Sequence, residues 1–153
     1  MGTIVVGVDG SEASLAALRF AIEEAKIRGA EVKAVNAWHV PPAVYGGGWA
    51  PTGIDFDEFR KLAEAALERT LEEAGARASG ASVTAILREG QPADVLCAEA
   101  PNPDDLLVVG SRGLGGFRGL LLGSVSQQAV HHSACPVVVV PHNRAEDEHT
   151  TEP

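Results

Sequence analysis

Strand-like apolar runs alternate with helical patterns along the chain, and this predicts one α/β domain: a parallel sheet with helices on both faces. Two further observations point to the same class. The runs Ile4-Val5-Val6, Leu106-Leu107-Val108-Val109 and Val137–Val140 are continuous rather than alternating, as strands covered on both faces require. Glycines cluster just past Val109, and the carboxyl ends of strands are where such sheets bind ligands.

The elements follow in order. Residues 3–8 form a β-branched, continuous strand. Asp9-Gly10-Ser11-Glu12 turns the chain into a helix whose apolar face is Leu15, Leu18, Ile22 and Ala25, and Gly29 ends it. Residues 31–38 give the second strand, and 40–53 a loop rich in Pro and Gly. A helix is expected over 55–77, with Phe59, Ala63, Ala66, Leu67, Thr70 and Ala74 inward. The third strand is 82–87. A short helix at 91–100 carries Pro92 in its first turn, where the missing N–H is harmless. The fourth strand is 106–109, the last helix 123–132, and the fifth strand Val137–Val140. Residues 142–153 are polar and acidic and read as a disordered tail, leaving 1–141 as the domain.

Composition narrows the function. The chain is 45% hydrophobic and 22% charged, an ordinary soluble globular balance that can bury a full core without disulfide or metal. Its net charge of −9 and lack of a basic stripe argue against nucleic acid as a partner. Any anionic ligand must therefore meet a locally positive site. Cys97 and Cys135 have no metal or secreted-framework spacing and read as small core hydrophobes. No basic region precedes a long apolar stretch, and no apolar run approaches the ~18 residues that span a bilayer. The expected compartment is the cytoplasm, with no membrane partner.

The segment from Gly110 to Ser126 carries the chemistry. Gly110-Ser111-Arg112-Gly113 follows the fourth strand. Nine residues later, Gly123-Ser124-Val125-Ser126 opens a helix. Glycine admits close backbone approach, and a helix N-terminus offers N–H groups and a positive dipole end, so these parts describe a phosphate cradle. The alternative is a plain turn in which Ser124 is the N-cap, supported by Gln127. The stretch lacks the lysine of a Walker A loop. It also lacks the Gly-x-Gly-x-x-Gly spacing of a dinucleotide fingerprint.

Gly-x-x-Gly, nine residues, then Gly-Ser resembles the nucleotide loop of the universal stress protein family, and Gly110, Gly113, Gly123 and Ser124 match it without a gap. The opening Ile4-Val5-Val6-Gly7-Val8-Asp9-Gly10-Ser11-Glu12 and the closing Cys135-Pro136-Val137-Val138-Val139-Val140-Pro141 resemble the same family. The likeness covers about residues 2 to 141. It implies a Rossmann-like five-stranded sheet in the order 3-2-1-4-5, the ATP-binding branch, and dimerisation through the Val137–Val140 strand. In that implied order Val137–Val140, apolar and β-branched between Pro136 and Pro141, lies at a sheet edge, where it either pairs with a second copy or is covered by the acidic tail.

Each residue has two readings. Asp9 is either an N-cap boxed with Glu12 or a ligand group; the resemblance implies that it lines the adenosine site, on base, ribose or a metal. Ser124, Val125 and Ser126 can present hydroxyls and backbone N–H groups to phosphate. Arg112 and Arg118 are the nearest cations, either clamping phosphate or solvated. Ala37 and Val109 end their strands as core residues by pattern; the resemblance implies that they contact adenine. Trp38 and Trp49 either stack on a base or pack under the loop. The five histidines show no ligand spacing.

The expected function is that of an ATP-binding regulator or sensor in a stress response, with ATP, with or without Mg, as ligand and hydrolysis slow or absent. The alternatives are an adenylating enzyme of the adenine-nucleotide hydrolase type and a nucleotide-free interaction module. The first would carry Ser-Gly-Gly-x-Asp-Ser or His-x-Gly-His, and Gly7-Val8-Asp9-Gly10-Ser11 has neither; the intact glycine loop speaks against the second.

Overall fold

Every strand among the described residues runs parallel to its neighbours, and the order is β3-β2-β1-β4-β5, as the resemblance implied. The computed structural model describes residues 2–39, 56–112 and 122–141. The strands are β1 (Ile4–Gly7), β2 (Val32–Trp38), β3 (Val83–Glu89), β4 (Leu106–Gly110) and β5 (Val137–Val140). The helices are α1 (Glu12–Arg28), α2 (Phe56–Glu73), α3 (Pro92–Glu99) and α4 (Ser124–His132).

Side chains alternate across a strand, so each continuous apolar run feeds two cores. Ile4, Val6, Ala34 and Val108 pack with Leu18 and Ile22 of α1 and Leu67 and Leu71 of α2. Val5, Val35, Leu107 and Val109 face the other way, onto Leu96 of α3, Ala129 of α4 and Cys135. Leu107 and Leu18 are fully buried, and truncating either to Ala should cost about 2–5 kcal/mol.

Three details depart from the sequence expectation. The core face of α1 is a spine of small residues, Ala13, Ala17, Ala21 and Ala25, beside Leu18 and Ile22, while Leu15 is only half-buried. The alanines let α1 lie close on the sheet. At Gly110 the approach is so tight that a Cβ would sit 3.0 Å from Ala13. The second helix stops at Glu73 rather than 77, because Gly75 takes a left-handed conformation (φ 63°) and a 3-10 turn, Ala76–Ala78, follows. The third strand runs to Glu89 and pairs along its full length with β2. The 40–53 loop and the 142–153 tail lie outside the described residues.

The order places β1 between β2 and β4, with the connections leaving β1 and β4 in opposite directions. Their carboxyl ends open a crevice at this switch point.

Candidate functional site

A cavity of about 530 Å³ occupies that crevice, within the size range of small-molecule sites. Asp9, Ala37, Val109, Gly110, Arg112, Gly123, Ser124, Val125 and Ser126 all line it. Gly113, Arg118 and Trp49 lie outside the described residues.

The β1–α1 turn fixes Asp9. Its Oδ1 accepts from the Ser11 backbone N–H at 2.9 Å and from the Ser11 hydroxyl. The Ser11 Oγ in turn accepts from the Ser14 N–H at 3.2 Å. Ser11, not Asp9, is therefore the N-cap of α1. Asp9 stands one step further out, exposed at the cavity, and orients the cap residue.

At the other side, Ser111 joins the end of β4 to β5 and to the start of α4. Its N–H donates to the Val140 carbonyl at 2.9 Å, and its carbonyl accepts from the Gly123 N–H at 2.7 Å. The N-terminus of α4 is thereby fixed beside β4. Gly123 is the N-cap with no side-chain cap bond, which replaces the expectation that Ser124 caps this helix. Ser124 instead occupies the first helical position and is exposed at the cavity. Ser126 is buried, its hydroxyl donating to the Gly123 carbonyl at 2.9 Å, so it stiffens the first turn that faces the cavity. Gln127 Nε2 donates to the Leu122 carbonyl at 3.0 Å, back across the same turn. With Arg112 on the wall, this end combines a helix N-terminus and a cation, a setting that favours an anion in an otherwise acidic chain.

The opposite end is formed by Trp38, the last residue of β2, His39 just past it, and Phe59, Leu62, Ala63 and Ala66 of α2. The sequence reading had placed Phe59, Ala63 and Ala66 inward but in the core, and it had not singled out Leu62 or Asn36. Asn36 is buried, lines the cavity, and donates from Nδ2 to the Ala63 carbonyl at 3.2 Å, tying α2 to β2. The strand sequence Val-Lys-Ala-Val-Asn-Ala-Trp does not set Asn36 apart, because Lys33 is polar as well. Gly110 also changes meaning, since its missing side chain is demanded by Ala13.

Outside the cavity, Cys97 and Cys135 pack in the second core. Burial pushes the Cys97 thiol up, with smaller contributions from Cys135 and Asp94. Among the described residues no group of three or more His, Cys, Asp or Glu is placed to hold a metal ion. Among the same residues, no helix is long and apolar enough to cross a membrane.

Known proteins resemble this chain along nearly its whole length. A universal stress protein of Mycobacterium tuberculosis (strain ATCC 25618 / H37Rv) is 36% identical over 136 residues, 89% of this chain and 44% of that protein. The chain thus spans less than half the length of the mycobacterial relatives it matches. A universal stress protein of Thermus aquaticus is 34% identical over 139 residues, covering 90% of this chain and 97% of that one. Among solved structures, a universal stress protein in complex with cAMP superposes with a TM-score of 0.63 at 29% identity, covering 91% of this chain and 96% of its own. The Archaeoglobus fulgidus protein in complex with dAMP gives 0.57 at 27% identity, covering 92% and 98%. The sequence profile of the universal stress protein family matches residues 1–141, and the chain belongs to that family.

Proposed function

We propose that the cavity binds an adenine nucleotide, ATP with or without Mg, and that the chain works as a nucleotide-dependent regulator or sensor in a stress response in the cytoplasm. One observation carries the reading. Asp9, Ala37, Val109, Arg112 and Ser124, far apart in sequence, line one cavity with an anion-favouring end. The similar proteins in complex with cAMP and dAMP support the ligand class.

The phosphates belong at the α4 N-terminus, against the first-turn N–H groups, Ser124 and Arg112. Among the described residues Asp9 is the carboxylate on the cavity wall, and it would accept from base or ribose or help to hold Mg. Hydrolysis is slow or absent on this reading, because no lysine lines the described wall to hold the phosphates. We further assign a homodimer joined along β5, an edge strand of the described sheet. Mass spectrometry of the small molecules released on denaturing the purified protein tests the ligand. An adenine nucleotide near one per chain supports the reading, and a different class of molecule at that ratio refutes it.

A further inference from the structure

The apolar stripe of α2 is continuous, but the described residues bury only half of it. Leu67, Thr70 and Leu71 are buried against the sheet. Phe59, Leu62, Ala63 and Ala66 stand one to two turns earlier, at the i, i+3, i+4, i+7 spacing that puts them on one helix face. All four line the cavity, and Leu62 remains 70% exposed. A lone exposed leucine needs no explanation, but an apolar stripe that leaves the core and runs along a cavity wall is informative. The wall is held in place. Asn36 Nδ2 ties Ala63 to β2 in the middle of the stripe, and Leu67 and Leu71 anchor its lower end.

The cavity is therefore two-ended. The α4 N-terminus and Arg112 favour charge at the β4 side, while α2 with Trp38 offers apolar and aromatic surface at the β2 side. A nucleotide has the same division, phosphates at one end and a flat base at the other.

We infer that α2 is the outer wall of the base subsite, and that Phe59 and Leu62 set the affinity for the nucleoside end of the ligand. The inference rests on the nucleotide reading and extends it to specificity. The base is pressed between the strand ends at Ala37 and Val109 and the α2 stripe, and the α2 side recognises shape and apolar area.

The contact acts on a part common to every adenine nucleotide, so its loss must weaken AMP, ADP and ATP by the same factor. Calorimetric titration of the three into wild type, Leu62→Asn, Phe59→Ala and Arg112→Gln tests this. Leu62→Asn changes an exposed side chain and keeps the fold, so it remains informative if Phe59→Ala destabilises α2. Loss of Phe59 should weaken all three ligands about tenfold, in line with base–aromatic contacts. Leu62→Asn should weaken them about threefold to tenfold, from the apolar area lost. Leu62→Met should restore wild-type binding, and the Arg112→Gln loss should grow with phosphate number. Unchanged affinities in folded Leu62→Asn, or losses that grow with phosphate number there, overturn the inference alone. A wild type that binds none of the three overturns the nucleotide reading and this inference with it.

Discussion

Single residues carry structural demands that their names alone do not reveal. Gly110 sits in a loop motif suited to ligand approach, yet its hydrogen faces Ala13 on α1. Gly110→Ala must push α1 off the sheet, and the overpacking should cost about 1–3 kcal/mol in chemical denaturation. An unchanged midpoint would mean that α1 yields easily. Cys97 offers a pH test. Burial raises its thiol above the ordinary value, so its stabilising contribution is fully present below the unfolded-state value and is lost as pH rises through the folded one. Between neutral and strongly alkaline pH, wild type should lose more stability than Cys97→Ala; parallel losses would remove Cys97 as the cause. The cavity residues were legible because strand ends can be read from apolar runs. Asn36 and Leu62 were not. Neither polarity nor exposure has meaning until a neighbouring element is placed.

Elements were legible wherever periodicity was strong, and their ends were set by backbone chemistry that competes with it. Both helix caps at the site shifted by local hydrogen bonding. Ser11 took the cap of α1 because Asp9 could orient it, and Gly123 took that of α4 because Ser111 holds its N–H. Ser11→Ala removes the bond from the Ser14 N–H and the partner of Asp9, and should cost about 1 kcal/mol in thermal or denaturant unfolding. No loss would hand the capping role to Asp9 itself. The spacing of α2 gave most of its apolar face but missed Leu62 and the buried Leu71, and a helical wheel cannot say whether a face meets a sheet or a cavity. Only the tether of Asn36 and the switch-point crevice separate the buried half from the open half.

At the scale of the whole molecule, the sheet order leaves one edge of β5 unpaired among the described residues. Leu107 and Ser111 donate to the Pro136 and Val140 carbonyls, so by alternation the Val139 N–H points away from β4 toward that edge. Val138 and Val140 pack against the first core, so charges there would damage the fold itself. Val139→Pro removes an edge donor while keeping an apolar side chain. Light scattering should give a dimer for wild type and a monomer of unchanged circular dichroism for the variant. A variant dimer would place the interface elsewhere, and a monomeric wild type would remove the assembly. The central claim is the nucleotide in the crevice between β1, β2 and β4, and Gly123 tests it most directly. Its φ of −68° is open to any residue, so Gly123→Glu keeps the backbone while placing a carboxylate where phosphate belongs. Calorimetric titration with ATP should give saturable binding near one site per chain in wild type and none in the folded variant; wild-type affinity in folded Gly123→Glu would contradict the account.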